Sequence, residues 1–198
     1  MAGIGINVVL FEEFEVLDVF GPLSFFGMLP ETFSCQLTSI GGGMIASSAG
    51  PRVETAALDT SKLKDNWLVV PGGRGTRALV QDANFLAALS EASAATSRVL
   101  TICTGSGLLA AAGGLDGKKA TSNKLAWDWA TAQSDKVNWV RQARWVTDGK
   151  FTSSSGVSAG MDAALALIAQ SQSIEMARQV ARWGEYRWNE DCNVDEFA

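Results

Sequence analysis

Apolar and polar residues alternate along the chain with two different periods, and these periods predict its secondary structure. Short runs of β-branched and other apolar residues are typical of buried parallel strands, whereas apolar residues three or four positions apart are typical of helices. The predicted strands cover residues 4–10, 33–40, 67–70, 98–102 and 119–122, with strand-like alternation at 137–145. The predicted helices cover residues 18–29, 83–95, 104–112, 124–133, 156–169 and 174–183.

The alternation of strands and helices predicts a doubly wound α/β fold. We expect a three-layer, flavodoxin-like α/β/α sandwich with a mostly parallel sheet, formed as a single domain over residues 1–198. Residues 44–55 are expected to form a hairpin with Pro51 near its turn. Pro22 is expected near the start of the first helix, where its missing N–H matters least.

One predicted strand ends at a thiol. Ligands of doubly wound sheets bind beyond the carboxyl ends of the strands, so the loops after Leu10, Val70 and Ile102 should converge on one site. The third loop begins with Cys103, and a turn of small residues leads from it directly into a helix. Such a bend exposes a nucleophile, and a helix N-terminus favours the thiolate. The alternative is a buried structural cysteine, because free cysteines are among the most buried residues.

The chain contains no histidine, and this limits the chemistry of Cys103. Ser-His-Asp and Cys-His arrangements are excluded, which leaves a carboxylate as the natural proton carrier. Asp18 could cap the first helix or, if it is buried against Cys103, could have a raised pKa and donate a proton. The backbone N–H groups of Gly73 and Thr104 could stabilise negative charge, although Gly72 and Gly73 could equally serve the loop conformation.

Composition argues against several classes of partner and cofactor. The net charge of −5, with no basic run, argues against nucleic acid, and no apolar stretch approaches the roughly 18 residues of a membrane span. The start of the chain lacks a positive region, so we expect no signal peptide. The three cysteines lie far apart, which predicts neither a zinc site nor disulfides and fits a reducing cytoplasm. No metal or other cofactor is expected, and Cys35 should lie in the core.

Five stretches of the chain, taken together and in this order, resemble the DJ-1/PfpI superfamily. They are Leu-Asp-Val-Phe-Gly-Pro (17–22), Val-Pro-Gly-Gly (70–73), Ile-Cys-Thr-Gly-Ser (102–106), Gly-Gly-Leu-Asp-Gly-Lys-Lys-Ala-Thr (113–121) and Ser-Ser-Ser-Gly-Val-Ser-Ala-Gly-Met-Asp (153–162). The resemblance implies a class I glutamine amidotransferase-like fold, with Cys103 as nucleophile and Asp18 as its carboxyl partner. It also implies oxyanion amides from Gly73 and Thr104, a homodimer, and no cofactor.

Within the superfamily, the Leu-Asp-x-x-Gly-Pro element resembles the isonitrile hydratase branch, since other branches tend to carry Glu at the acid position. Many relatives have a histidine shortly after the Ala-Thr-Thr element, where this chain has Asn123. Asn123 cannot shuttle a proton, which weakens protease, amidase and glyoxalase-like interpretations. Ser154 and Ser155 replace the glycines that usually precede the long helix. We expect the substrate pocket to be lined by Gly72, Asn123, Ser155 and Val157.

These features lead to one main functional hypothesis and two alternatives. We expect a cysteine-dependent enzyme that adds water to a small-molecule isonitrile through a thioimidate and releases an N-substituted formamide. This reaction requires a nucleophile and one carboxyl group, with no imidazole. The alternatives are another cysteine-dependent enzyme of the superfamily in secondary metabolism, and a non-enzymatic redox or ligand sensor. Neither nucleic acid nor a membrane is an expected partner.

Overall fold

A central β-sheet organises the fold in the computed structural model, which describes residues 3–198. The strands are β1 (Ile4–Val9), β2 (Phe33–Ser39), β3 (Gly43–Ala46), β4 (Arg52–Ala57), β5 (Trp67–Val70), β6 (Arg98–Ile102), β7 (Lys119–Ala120), β8 (Asn138–Trp139), β9 (Trp145–Asp148) and β10 (Phe151–Ser154). Eight of them form the sheet, in the order β3-β4-β2-β1-β5-β6-β10-β9. Neighbouring strands are parallel except at the two edges, where β3–β4 and β10–β9 are antiparallel. Strands β7 and β8 form a separate parallel pair.

Helices flank this sheet in two groups. They are α1 (Val16–Gly27), α2 (Thr76–Leu79), α3 (Ala83–Ala95), α4 (Gly105–Ala111), α5 (Trp127–Thr131), α6 (Ala159–Ser171) and α7 (Ile174–Trp183), with a 3₁₀ turn at Thr60–Lys62. Helix α6 packs against α1 and α7, whereas α4 contacts α2, α3 and α5. The predicted α/β sandwich with a mostly parallel sheet is therefore confirmed. Within residues 3–198, no helix combines the length and the apolar character needed to cross a membrane.

The central strands bring the predicted site loops to one edge of the sheet. Strands β1, β5 and β6 are short apolar runs that need cover on both faces, and all four residues of β5 are buried. Val8 lies beside Val69, which in turn lies beside Leu100. Beyond these strands, the N–H of Glu15 donates to the carbonyl of Gly72 at 2.8 Å. The N–H of Gly73 donates to the hydroxyl of Thr104, after β6, at 3.1 Å. The loops after the three strands therefore meet, as the sequence predicts.

The predicted strand at 137–145 is wrong for most of its length. Only its two ends are strands, as β8 and the first residue of β9. Between them the chain pairs with the C-terminal segment, which we define as residues 184–198. The N–H of Arg144 donates to the carbonyl of Cys192 at 2.9 Å. Its partner is about fifty residues away in sequence, so the local alternation of apolar residues gives no sign of this pairing.

The boundaries of α1 and the burial of Cys35 also need correction. Helix α1 begins at Val16 rather than at residue 18, because Glu15 forms its N-terminal cap. Pro22 therefore lies inside the helix rather than near its start, where its ring removes one helical hydrogen bond. Cys35 is exposed and does not lie in the core, because the middle of β2 is exposed to solvent.

The hairpin predicted at 44–55 is present as β3 and β4, with Pro51 immediately before β4. Helix α5 and strand β7 are shorter than predicted, and α6 begins at Ala159 rather than at residue 156. Gly156 has a φ of 68°, a left-handed conformation that an α-helix does not contain. The residues before α6 therefore form a separate turn, and this turn packs against the site.

A buried network of charged groups attaches the C-terminal segment to the rest of the fold. Arg144 donates through Nε to Asp162 Oδ2 at 2.6 Å, and the Tyr186 hydroxyl donates to Asp162 Oδ1 at 3.0 Å. Lys124 Nζ lies 3.4 Å from Asp195 Oδ2, with both side chains at most 4% exposed. Removing one member of such a pair leaves an uncompensated charge in the interior. The network therefore holds the segment in one position.

Candidate active site

Cys103 lies at a sharp bend between β6 and α4. Its φ is 56°, a conformation uncommon for a residue with a side chain. Its N–H donates to the carbonyl of Ser154 at 3.2 Å. Its own carbonyl accepts hydrogen bonds from the hydroxyls of Ser106 and Ser122, each at 3.0 Å. These three bonds stabilise a backbone conformation that costs about 1–2 kcal/mol in isolation.

Two glycines pack directly against this bend. A Cβ added at Gly72 would lie 2.7 Å from the nitrogen of Thr104 and 2.9 Å from Cys103 Cβ. A Cβ added at Gly156 would lie 2.7 Å from Cys103 Cα. Neither position therefore has room for a side chain. The sequence pattern assigns Gly156 to the following helix, and only the run of small residues at 153–156 hints at such close packing.

Asp18 is fully buried in the first turn of α1. It does not cap this helix, since Glu15 does. Its Oδ2 accepts a hydrogen bond from the N–H of Gly72 at 2.8 Å, and its Oδ1 has no hydrogen-bond partner among the described residues. Burial raises the pKa of Asp18 well above its ordinary value, and the charge of Glu15 raises it further, whereas the Gly72 hydrogen bond opposes the shift. Burial therefore shifts the equilibrium of Asp18 towards its protonated form.

The environment of Cys103 contradicts the expected stabilisation of a thiolate. Burial raises the pKa of the Cys103 thiol, and the charge of Asp18 adds to this effect. The hydrogen bonds offered by Thr104 act in the opposite direction but are smaller. The residue is only 8% exposed, so loss of solvation outweighs the attraction of the short helix α4. The surroundings therefore disfavour the thiolate of Cys103 as well as the carboxylate of Asp18.

The two predicted oxyanion amides lie next to Cys103 but differ in their partners. The N–H of Gly73 already donates to the hydroxyl of Thr104 at 3.1 Å. That hydroxyl also accepts a hydrogen bond from Thr76 at 3.3 Å, so it is held in place. The N–H of Thr104 faces the sulfur and lowers the pKa of the Cys103 thiol. The Thr104 amide is therefore the one that favours a charge on sulfur, whereas the Gly73 amide already has a partner.

A cavity of about 340 Å³ lies beside the bend. Two of the expected pocket residues, Asn123 and Val157, line it, and so does Gly156. The other two do not, because Gly72 packs against Thr104 and Ser155 is buried, with its N–H bonded to the Arg144 carbonyl at 2.8 Å. Its complete lining is Leu17, Asn123, Lys124, Leu125, Gly156, Val157, Ser158, Asp195 and Phe197. This cavity is the candidate substrate pocket.

Larger cavities lie away from the bend at Cys103. One of about 670 Å³ is lined by Arg144 and residues of the C-terminal segment, rather than by residues around Cys103. Another of about 470 Å³ lies along the outer face of α1. We assign the site by the position of Cys103 and Asp18 and not by volume. Among residues 3–198, no cluster of three or more His, Cys, Asp or Glu side chains could hold a metal ion.

Comparison with known proteins identifies the family of this chain. The sequence model of the DJ-1/PfpI family matches residues 5–170. The chain belongs to the DJ-1/PfpI family. It is 29% identical over 184 residues to an isonitrile hydratase from Pseudomonas putida, a match that covers 91% of this chain and 78% of the hydratase. It is also 30% identical over 145 residues to the HTH-type transcriptional regulator GlxA from Rhizobium meliloti (strain 1021), covering 72% of this chain but only 44% of the regulator.

Solved structures of the family share the fold. A ThiJ/PfpI family protein from Pseudomonas syringae superimposes with a TM-score of 0.83 at 28% identity, covering 96% of this chain and 77% of that protein. The DJ-1beta protein of Drosophila melanogaster superimposes with a TM-score of 0.79 at 18% identity, covering 94% of this chain and all of that protein. Because the Drosophila protein is only 18% identical to this chain, that match supports the fold and no other property.

The packing of Gly72 gives a first prediction. Gly72→Ala should lower the free energy of unfolding by about 2 kcal/mol, because the added methyl meets backbone and Cβ atoms that cannot move aside. Gly27→Ala is the matched control, since a Cβ there meets nothing within 4 Å. Urea unfolding of both variants measures the difference. Equal stabilities for the two variants would contradict the close packing at the bend.

Proposed function

We propose that this protein is a cysteine-dependent isonitrile hydratase. One observation carries the proposal: a buried Asp18 carboxyl group and the thiol of Cys103 share Gly72 as a neighbour in a chain without histidine. Gly72 donates to the carboxyl group on one side and packs against Cys103 on the other. The similarity to the Pseudomonas putida isonitrile hydratase over 91% of the chain supports the same reaction.

The first half of the reaction needs only the two protons that the resting pair holds. Sulfur attacks the terminal isonitrile carbon, and a C–S bond forms. Asp18 donates a proton to that carbon and receives the thiol proton, so that R–N≡C and the thiol together become the thioimidate R–N=CH–S–Cys. The Thr104 amide stabilises the negative charge that develops on sulfur as the thiol proton leaves.

The second half adds water and releases the enzyme. Asp18 helps to position or deprotonate a water molecule that attacks the thioimidate carbon, while the nitrogen gains a proton. The resulting tetrahedral adduct, R–NH–CH(OH)–S–Cys, collapses with cleavage of the C–S bond. The products are the N-substituted formamide and the original thiol. Asp18 ends with the proton it held at the start, so one carboxyl group serves both halves.

Substitution of the two residues tests the proposal. Cys103→Ala should abolish consumption of an alkyl isonitrile, because the covalent intermediate cannot form. Asp18→Asn should lower kcat/KM by roughly 100- to 10,000-fold, because a carboxamide cannot donate the proton. Cys35→Ala is the matched control, since this exposed thiol lies outside the site and its loss should leave activity unchanged. Formamide release, followed by mass spectrometry, measures each variant.

A regulatory role is the second candidate, because part of the chain is similar to a transcriptional regulator. A redox sensor would need a readily ionised thiol, since oxidation follows thiolate character and exposure. The buried Cys103, with its raised pKa, fits that role less well. Selective oxidation of Cys103 by peroxide, with no turnover of any isonitrile, would contradict the hydratase and favour the sensor. Activity that persists in Cys103→Ala would instead exclude covalent catalysis.

The raised pKa of Asp18 predicts how activity depends on pH. Below this pKa the carboxyl group holds its proton and can donate it, and above it the proton is lost. The value of kcat/KM should therefore stay level at lower pH and fall as pH rises through the pKa of Asp18. The residual activity of Asp18→Asn should lack this descending limb. A profile that rises over the same range would show that a carboxylate is needed instead.

We also propose that the protein acts as a homodimer and that it works in the cytoplasm. The reducing conditions there keep cysteines unpaired, as its three cysteines are. Leu17 and Phe20 leave apolar surface on the outer face of α1, beside the cavity of about 470 Å³. Phe20→Glu should shift the mass measured by light scattering from two chains to one. Ile40→Glu, at a similarly exposed apolar residue, is the control and should not. A wild-type mass of one chain would contradict the dimer.

A further inference from the structure

Arg77, an exposed residue of α2, binds the loop that follows β5. Its Nη1 donates to the Thr76 hydroxyl at 2.9 Å and to the carbonyl of Gly73 at 3.2 Å. The Thr76 hydroxyl donates to the same carbonyl at 2.8 Å. Gly73 has a φ of 139°, which few residues other than glycine adopt, and it has no side chain that could anchor it. Arg77 therefore fixes the conformation of this loop from outside.

A tryptophan keeps the Arg77 guanidinium in place. The guanidinium carbon lies 4.2 Å from the centre of the Trp129 ring, within the range of a cation–π interaction. Trp129 in turn packs on α4, since a Cβ added at Gly107 would lie 2.9 Å from its ring. The partners of the guanidinium are thus a carbonyl, a hydroxyl and an aromatic ring, none of which carries a negative charge. Arg77 is therefore held in position while it keeps its full positive charge.

The loop after β5 lies directly against Cys103. The N–H of Gly73 donates to the Thr104 hydroxyl at 3.1 Å, and Thr104 follows Cys103 in the chain. Gly72 packs so closely that an added Cβ would lie 2.9 Å from Cys103 Cβ and 2.7 Å from Thr104 Oγ1. A shift of the Gly73 carbonyl would therefore displace the groups that surround the thiol. Arg77 thus acts on the position of these groups through the loop.

Arg77 also acts on Cys103 through its charge. Burial raises the pKa of the Cys103 thiol, and the charge of Asp18 raises it further. The amide and the hydroxyl of Thr104 lower this pKa, and the positive charge of Arg77 lowers it as well. Because burial opposes a thiolate, attack on a substrate needs groups that offset this cost when the thiol proton leaves. Arg77 is one such group.

We propose that Arg77 is a positioning residue for Cys103, which fixes the loop at Gly73 beside Thr104 and stabilises the sulfur with its positive charge as the thiol proton leaves. The expected effect on turnover rests on the proposed function. The expected effect on the reactivity of the thiol does not, so the two can be measured separately.

Alkylation of Cys103 tests the effect on the thiol in the absence of any isonitrile. Arg77→Met keeps an unbranched side chain but loses the charge and the donors. Iodoacetamide should modify Cys103 about threefold more slowly in this variant at low salt, because the rate follows the thiolate fraction. Arg77→Lys keeps a charge and a donor and should recover most of the rate. Mass spectrometry of the peptide that contains Cys103 measures the rate, and exposed Cys35 is the internal control, whose rate should not change.

Salt and a neighbouring arginine distinguish the effect of charge from that of packing. At 1 M salt, exposed charges are screened within about 3 Å, so the difference between the wild type and Arg77→Met should shrink. Arg74→Met removes the same charge from the same loop, but Arg74 donates to the Ser48 carbonyl at 2.9 Å instead, and this variant should keep the wild-type rate. Thermal unfolding checks that each variant folds. An equal or faster rate in folded Arg77→Met, or a slower rate that neither lysine nor salt changes, would overturn the proposal.

Turnover separates this inference from the proposed function. Arg77→Met should lower kcat for an alkyl isonitrile about threefold with little change in KM, because Arg77 acts on the sulfur rather than on the substrate. Slower alkylation of this variant, without turnover of any isonitrile by the wild type, would support the role of Arg77 and overturn the hydratase. Turnover by the wild type, with kcat and alkylation both unchanged in Arg77→Met, would support the hydratase and overturn the role of Arg77.

Discussion

The close contact of two glycines with the backbone at Cys103 is the constraint on which the site depends. Gly72 and Gly156 leave no space for a Cβ, and the bend they enclose has a φ of 56°. Hydrogen bonds of the Cys103 backbone with Ser154, Ser106 and Ser122 stabilise the same bend. The sulfur is thus placed by backbone packing rather than by contacts of its own side chain. Because Gly72 also donates to Asp18, the same packing sets the relation between the acid and the thiol.

Burial decides the protonation of this pair. An exposed cysteine at a helix N-terminus would favour the thiolate, but Cys103 is 8% exposed and Asp18 is fully buried. Loss of solvation opposes both anions, and the negative charge of either group opposes that of the other. Both shifts favour the protonated forms, which suits the proposed addition of a thiol across an isonitrile carbon. The absence of histidine is consistent with this chemistry, since no third proton carrier is needed.

The C-terminal segment contributes to the pocket as well as to stability. Asp162 and Arg144 hold it through a buried ion pair, and Asp195 then lies in the wall of the candidate pocket. Forming a buried ion pair removes water from both charged groups, and this cost offsets much of the attraction between them. Here the network also fixes the position of Asp195, whose carboxylate is buried against Lys124.

Local sequence determined the strands of the sheet centre, the order of the elements and the bend after Ile102, because apolar periodicity and small-residue turns act over a few residues. The resemblance of its motifs to a known family also pointed to Cys103 and Asp18. Tertiary structure decided the rest. Pairing with the C-terminal segment replaced the expected strand at 137–145, Gly156 came to lie against Cys103, and burial reversed the expected ionisation of the thiol. Each of these depends on residues far apart in sequence and on exclusion of water, which no local pattern encodes.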